Sequence, residues 1–354
     1  MKILFVISTL GFGGAERVCS LLSSRFAKDF EVCIAKFDKS EPFYELNSDI
    51  RLVNLDFGVG EKGFLGNIKK RFGKIFLLRK FIKDEKFDCV ISFMDSTNIL
   101  VLMATRSLKI PIFVSEHTSF ELVKDKIWDK LKRIFYPRAN GLSVLTHDDY
   151  RYYKKFVKNV NVIYNPFFGE QKAVLQKQNL VLFAGRLIKL KGCDLFLKAI
   201  FKLDKKLIDS WEFAVAGSGE SERELKNLAK ELGIKVKFLG NVKNIDEIYK
   251  KSKILVSSSY VEGLGNTLIE AIYYECARIS SKTSGGCELI RDEFDGLLFE
   301  VGNSNQLSQK LGTLMQSDEK ITQITKNAKL KIAEFDIETI YQKWLNMLKN
   351  GGFE

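Results

Sequence analysis

Apolar residues along this chain come in short continuous runs, each followed by a polar or glycine-rich turn and then by apolar positions three and four apart. Such runs read as strands buried on both faces, and the spaced positions as amphipathic helices. Strands and helices in alternation are the pattern of parallel sheets. In the N-terminal half the strands fall near Ile3 to Ile7, Glu31 to Lys36, Val90 to Phe93, Pro111 to Ser115 and Gly141 to Leu145. The C-terminal half repeats the pattern at Leu180 to Ala184, Glu212 to Ala216, Lys235 to Leu239, Ile254 to Val256 and Ala277 to Ser280. Between them, Ile163-Tyr164-Asn165-Pro166 and the polar stretch Glu170 to Gln178 read as a linker. The expected division is 1–165 and 166–336, with a last helix over 337–350 carrying Ile340, Trp344, Leu345 and Leu348 on one face. At 354 residues the chain can build two ordinary cores. No apolar run reaches the ~18 residues of a membrane span, and MKILFVIST passes into a glycine loop and a helix, so it reads as a core strand rather than a targeting segment.

The chemistry gathers at strand ends. Ile254-Leu255-Val256 leads through three serines into YVEGLGNTLIEAIYYE, a strand, a glycine turn and a helix. A helix start of this kind leaves the backbone N–H groups of Gly265, Asn266, Thr267 and Leu268 to hold a phosphate. Glu262 and Glu270 then flank that anion, and carboxylates there suit sugar hydroxyls better than phosphate. Two Glu at this spacing also occur on many solvated helices. Upstream, the strand Leu180 to Ala184 ends in Gly185-Arg186, with Lys189, Lys191 and Gly192 just after. Ligands bind beyond the carboxyl ends of parallel strands, so Arg186 and Lys191 stand where a diphosphate would sit. Read alone, they are ordinary surface charges.

At the N-terminus the first strand enters Gly11-Phe12-Gly13-Gly14-Ala15-Glu16-Arg17 and then a helix with Val18, Leu21, Leu22 and Phe26 at helical spacing. Glu16 occupies the third glycine position of a dinucleotide fingerprint, so that fingerprint fails, although Asp38 falls near the ribose-binding distance. The chain has two histidines, His117 after the strand Pro111 to Ser115 and His147 after the next. His117 reads equally as a site residue or as a hydrogen-bonded loop residue, and His147 as a rim contact. With two His and no Asp-x-Asp, a metal site has few candidates, and no metal or other cofactor is expected. Six Cys without a C-x-x-C pair read as reduced, buried thiols of a cytoplasmic protein.

In this order, GGAER at Gly13 to Arg17, SEHTSF around His117, G-R-x-x-x-x-K-G from Gly185 and E-x7-E at Glu262 and Glu270 resemble the retaining, two-Rossmann-domain glycosyltransferases that use nucleotide-activated sugars. The resemblance covers nearly the whole chain. It implies the GT-B fold, two Rossmann-like domains whose parallel sheets face each other across a cleft, with the last helix packing back on the first domain. It also implies an acceptor-binding first domain and a second domain that holds the donor. The donor site would take in Gly13, Gly14, Gly185, Arg186, Lys191, Glu262, Gly263, Leu264, Gly265, Asn266, Thr267, Leu268 and Glu270. Arg186 and Lys191 would meet the pyrophosphate, Glu262 and His117 the sugar, and Glu270 the ribose. Gly285, Gly286 and Glu288 resemble a further family stretch, read as structural or as a rim.

Within the family the chain is similar to the bacterial enzymes that add N-acetylgalactosamine from a UDP-sugar to a polyprenol-diphosphate-linked glycan, peripherally at the inner membrane face. The alternatives are another UDP-hexose or hexosamine transferase of lipopolysaccharide or capsule synthesis, a nucleotide-sugar epimerase of the same fold, or a scaffold without activity. Charge fits the first picture. Lys and Arg number 56 against 44 Asp and Glu, a net charge of +12. Much of the excess lies in Lys69 to Lys86 and Lys124 to Arg138. In the second segment Ile127, Trp128, Leu131, Ile134 and Phe135 form one helical stripe, which suits either an anionic membrane surface or the underlying sheet. By the resemblance, Lys69, Lys70, Arg71 and Lys74 become candidates for the acceptor diphosphate. No zinc knuckle, recognition helix or aromatic sheet motif supports nucleic acid as the partner.

Overall fold

The computed structural model describes residues 1–55, 64–124, 126–167 and 176–353, with backbone alone for 64–71. It divides into two compact units, Met1–Pro166 with Asp336–Glu354, and Phe167–Phe335. Each is built on one parallel sheet with helices on both faces.

In the first unit the strands are β1 (Lys2–Val6), β2 (Glu31–Lys36), β3 (Arg51–Asn54), β4 (Cys89–Phe93), β5 (Ile112–Ser115), β6 (Gly141–Val144) and β7 (Val160–Val162). Their order across the sheet is β3-β2-β1-β4-β5-β6-β7, and every pairing is parallel. Alternate side chains of a strand point to opposite faces. Thus Leu4 and Val6 enter one core with Val90, Val114 and Leu142, while Ile3 and Phe5 enter the other with Phe26, Ile91 and Phe113. The final helix, Ile337–Asn350, covers the second of these, burying Ile340, Tyr341, Trp344, Met347 and Leu348. Tyr341 stacks edge-on against Phe26 at 4.8 Å and donates to Asp29 at 2.5 Å.

The second unit holds β8 (Gln178–Ala184), β9 (Glu212–Ala216), β10 (Lys237–Gly240), β11 (Ser252–Ser257), β12 (Ala277–Ser281) and β13 (Leu297–Phe299), in the order β10-β9-β8-β11-β12-β13. In both sheets the chain order reverses beside the first strand of the unit, between β1 and β4 and between β8 and β11. Open parallel sheets bind ligands at such a reversal, outside the carboxyl ends of the strands.

Three strands differ from the sequence expectation. β3, β7 and β13 have four, three and three residues. Runs this short carry no periodicity of their own, and β3 lies at an edge where most of its side chains are exposed. The expected linker also ends early. Gln178 already belongs to β8, and the ammonium of Lys177 caps the carbonyls of Tyr249 and Ser252, at 3.0 and 2.8 Å, and that of Tyr274. Residues 168–175 of that stretch lie outside the described residues.

The basic helix Ile127–Phe135 corrects the expected apolar stripe. Trp128, Leu131 and Phe135 pack toward the core, but Ile127 and Ile134 are 65 and 57 % exposed. The residues it buries fully are Asp129 and Lys132. The helix is therefore turned so that a salt-bridged polar edge, rather than the full stripe, meets the sheet. Among the described residues no helix is long and apolar enough to cross a membrane.

Candidate active site

Local backbone contacts assemble the second unit's strand ends. β8 runs into Gly185, whose N–H donates to the Ala216 carbonyl at 3.0 Å, and into Arg186. One helical turn, Lys189–Lys191, follows, and Gly192 at φ +63° bends the chain into the helix Cys193–Phe201. A Cβ at Gly192 would run into the carbonyl oxygen of Ser258, a left-handed and crowded position that only glycine fills without strain. Ser258 Oγ donates to the Gly192 carbonyl at 2.7 Å, and the Tyr260 N–H to the Leu190 carbonyl at 2.8 Å. These contacts fasten the loop after β8 to the loop after β11.

The fastening brings two sequence-distant charges together. Lys191 Nζ lies 2.5 Å from Glu262 Oε2, and Ser259 Oγ donates to the same oxygen at 2.9 Å. Both charged side chains remain partly open to solvent, 25 % for Lys191 and 14 % for Glu262. Among the described residues both contacts of the Glu262 carboxylate fall on Oε2. The carbonyl of Glu262 takes the Gly285 N–H at 3.1 Å, and a Cβ at Gly285 would lie 2.5 Å from the Gly263 carbonyl oxygen. Gly285 therefore supports the Glu262 turn from beneath.

Gly265 caps the helix Asn266–Tyr273. The expected row of four open amides is corrected at its end, because the Leu268 N–H donates to the Gly265 carbonyl at 2.8 Å. The first turn is tightened to a three-residue bond, which consumes one donor. Leu264 is buried, and Asn266 and Thr267 are half-buried at the start of the helix. Glu270, four residues into that helix, accepts from the Tyr249 hydroxyl at 2.7 Å. Arg186 is exposed, and its guanidinium pairs with no carboxylate among the described residues.

Within the first unit, Gly13 caps the helix Gly14–Phe26, and the Glu16 carboxylate folds back to where a Gly13 side chain would be. Asp38 is not open for a ribose. Thr9 Oγ1 donates to it at 3.0 Å, the Lys36 ammonium at 3.1 Å and the Ser40 hydroxyl closes the set. At the end of β5, His117 Nε2 meets Ser115 Oγ at 3.0 Å and its ring stacks on Phe93 at 5.6 Å. Burial pushes its pKa down to about 4, against the pull of Asp95, so the imidazole is neutral at pH 7 and acts as a hydrogen-bonding group. The unfolded chain therefore binds more protons than the folded one between about pH 6.5 and 4, and stability is lost as pH is lowered through that window. Relative to a His117→Gln variant, the wild type is expected to lose about 2–3 kcal/mol between pH 7 and pH 4, read from urea unfolding at each pH.

Beside His117 lies a group that residue spacing alone did not single out. Glu116, 2 % exposed, pairs with the fully buried Lys132 and accepts from Tyr136 at 3.0 Å and Tyr153 at 2.8 Å. Lys132 also meets Asp95 at 3.1 Å. Burial pushes the Glu116 carboxyl up to about 7 against the attraction of Lys132, with Asp95 adding repulsion. Lys132 is desolvated too, yet its two carboxylate neighbours hold it charged, with its pKa raised.

Of the acceptor candidates, Lys74 is half-buried with its ammonium 4.9 Å from the Phe37 ring centroid. The side chains of Lys69, Lys70 and Arg71 lie outside the described residues. His147 is exposed at the start of the helix His147–Tyr153. Five cysteines are buried and unbridged, whereas Cys287 is exposed, which corrects the expectation for that one. Among the described residues no cluster of three His, Cys, Asp or Glu side chains could hold a metal ion.

Comparison with known proteins adds a family. The model of glycosyltransferase family 4 matches residues 12–167, and that of glycosyl transferases group 1 matches residues 167–331. The GalNAc-alpha-(1->4)-GalNAc-alpha-(1->3)-diNAcBac-PP-undecaprenol alpha-1,4-N-acetyl-D-galactosaminyltransferase of Campylobacter jejuni is 41 % identical over 98 % of both chains. The amylovoran biosynthesis glycosyltransferase AmsD of Erwinia amylovora is 26 % identical over 98 % of this chain and 99 % of its own. Among solved structures, Anabaena HepE in complex with UDP and glucose superimposes with a TM-score of 0.80 at 19 % identity, covering 99 % of each chain. WaaG, a glycosyltransferase involved in lipopolysaccharide biosynthesis, gives 0.77 at 17 % identity over 99 % of this chain and 100 % of its own. The fold is therefore GT-B, and the chain belongs to the family 4, group 1 glycosyltransferases.

Proposed function

We propose that this protein moves N-acetylgalactosamine from UDP-N-acetylgalactosamine onto a polyprenol-diphosphate-linked oligosaccharide, with retention of configuration and without a metal ion. The observation that carries the donor chemistry is Lys191 resting on Glu262 at the sheet's reversal point. A cation already in place there can pass to the diphosphate when the donor enters, which frees Glu262 for the sugar hydroxyls. The sugar and the acceptor follow the relative that is 41 % identical along nearly its whole length.

In this reading the bond from the anomeric carbon to the diphosphate oxygen breaks, and the acceptor oxygen bonds the same carbon from the same face. The acceptor's proton passes to the departing phosphate oxygen. Lys191 and Arg186 stabilise the charge that develops on that diphosphate, so the chemistry calls for no enzymic nucleophile. Glu270 holds the ribose, and the neutral His117 hydrogen-bonds the sugar. Gly13, Gly14 and the amides near Gly265 complete the donor site, and Lys74 with Lys69, Lys70 and Arg71 meets the acceptor's diphosphate. The second unit holds the donor and the first receives the acceptor.

We place the enzyme peripherally on the inner membrane face. Exposed Ile127 and Ile134 among Lys126, Lys130 and Arg133, and exposed Phe72 and Phe76 near Lys80 and Lys83, suit a shallow contact with anionic lipid. The test incubates the enzyme with UDP-N-acetylgalactosamine and the lipid-linked oligosaccharide, with and without EDTA. The expected product gains N-acetylhexosamine, shows an α anomeric proton by NMR and forms equally with EDTA. A β product would remove retention, and loss of activity in EDTA would remove metal independence.

A further inference from the structure

The loops after β1 and β2 carry an aromatic pair that the fold does not need. Phe12, between Gly11 and Gly13, is 66 % exposed, and Phe43 is 61 % exposed. Their rings meet edge to face, centroids 5.1 Å apart at 75°, and Tyr44 continues the cluster 5.1 Å from Phe43 at 79°. Burying large aromatics drives folding, so two left this open on ordered loops call for an occupant.

The loops beneath them are firmly built. The Phe43 N–H donates to the Leu10 carbonyl at 2.9 Å and the Phe37 N–H to the Ser8 carbonyl at 3.1 Å. Lys36, only 3 % exposed, spends its ammonium on this loop, donating to the carbonyls of Asp38 at 2.7 Å and Ser40 at 2.5 Å. Thr9 Oγ1 ties the two loops together through Asp38 and also accepts the Gly11 N–H at 3.1 Å. The aromatic pair is thus pre-organised beside Gly13 and Gly14, at the carboxyl end of the sheet.

Charge selects among occupants. Residues 38–49 hold Asp38, Glu41, Glu45 and Asp49 against the single Lys39, in a chain whose net charge is +12. An acidic surround repels anionic lipid and phosphate, whereas carboxylates accept readily from sugar hydroxyls. The face of a pyranose presents C–H groups that suit the negative face of an aromatic ring. We infer that Phe12 and Phe43 form a stacking platform for a neutral N-acetylhexosamine ring of the acceptor glycan. This inference rests on the proposed function and adds a subsite to it.

The test uses wild type, Phe12→Ala, Phe43→Ala, the double variant and Phe43→Tyr. Both side chains are exposed, so the variants are expected to melt with the wild type. The first readout is saturation-transfer NMR on the methyl glycoside of an N-acetylgalactosamine disaccharide, without donor. Transfer to the ring protons is expected in wild type and Phe43→Tyr and is lost in the double variant. The second readout is kinetics, where the acceptor KM rises about tenfold in the double variant while the donor KM holds. Equal saturation transfer in wild type and the double variant, or none in either, overturns the platform. So does a double variant that keeps the disaccharide but loses phosphatidylglycerol vesicles, which would make the pair a lipid contact. Disaccharide binding that depends on both phenylalanines, in an enzyme that transfers no sugar, would leave the platform standing and remove the proposed function instead.

Discussion

Lys191→Ala is expected to lower sugar transfer by about 10²- to 10³-fold, the scale on which a pre-organised partner of developing charge acts. The side chain has two duties. In the structure it neutralises Glu262 at 2.5 Å, and in the proposed function it neutralises the departing diphosphate once donor is bound. Removing it therefore leaves Glu262 uncompensated and the leaving group unsupported. UDP affinity by calorimetry should fall together with turnover, and Lys191→Arg should recover part of both, since a guanidinium keeps the charge but not the point geometry. Glu262→Gln is expected to lose turnover while UDP binding holds, because the proposed function gives that carboxylate to the sugar rather than to the nucleotide. If Lys191→Ala retained wild-type turnover, its assignment to the leaving diphosphate would fail.

Lys132→Met is expected to be the most destabilising single change outside the hydrophobic cores, costing about 3–5 kcal/mol by urea unfolding. The cost arises from what remains. Glu116 would be left in the interior without a cation, still bonded by Tyr136 and Tyr153, and the partly exposed Asp95 would lose its partner as well. Adding Glu116→Gln should restore part of the loss, since a neutral amide needs no counter-charge, and the two changes should be strongly non-additive. The deficit of the single variant should narrow as pH falls toward 7 and level off below it. With Lys132 present burial already holds the Glu116 carboxyl up at about 7, and removing the cation raises it further, so the variant takes up this proton at higher pH than the wild type. A deficit that stayed constant from pH 9 to 7 would show that lost packing, not the stranded carboxylate, is its cause. His117 follows Glu116 in sequence, so the same ion pair steadies the loop that carries the imidazole.

Much of the architecture was legible because parallel strands are buried on both faces and so spell themselves as unbroken apolar runs. β1, β4 and β8 are of this kind. The short strands β3, β7 and β13 take their structure from the neighbours they pair with, which single-chain periodicity does not reveal. The strand-end positions of Lys191 and Glu262 were legible, and the structure gives the two a mutual contact that sequence order could only suggest. Their supports, Ser259 and Tyr249, were not legible, since each acts through a contact made only after folding. Leu268 shows the converse, an amide promised by the helix start and consumed by a tightened first turn.

The apolar stripe of the basic helix Ile127–Phe135 is split between core and solvent for a specific physical reason. Helical periodicity assigns the larger apolar stripe to the interior. A buried Glu116 with Asp95 beside it needs a cation, and that need turns Lys132 inward and leaves Ile127 and Ile134 in solvent. The requirement sits on other strands and helices, so no window along this one could contain it.

Acceptor-dependent transfer from UDP-N-acetylgalactosamine is read out by the release of UDP. Wild type and Glu262→Ala would each be given a panel of UDP- and GDP-sugars, with and without the polyprenol-diphosphate oligosaccharide. Release is expected from UDP-N-acetylgalactosamine when the lipid-linked acceptor is present, and none from Glu262→Ala. Release from a different sugar nucleotide, release indifferent to the acceptor, or full activity in Glu262→Ala would contradict it.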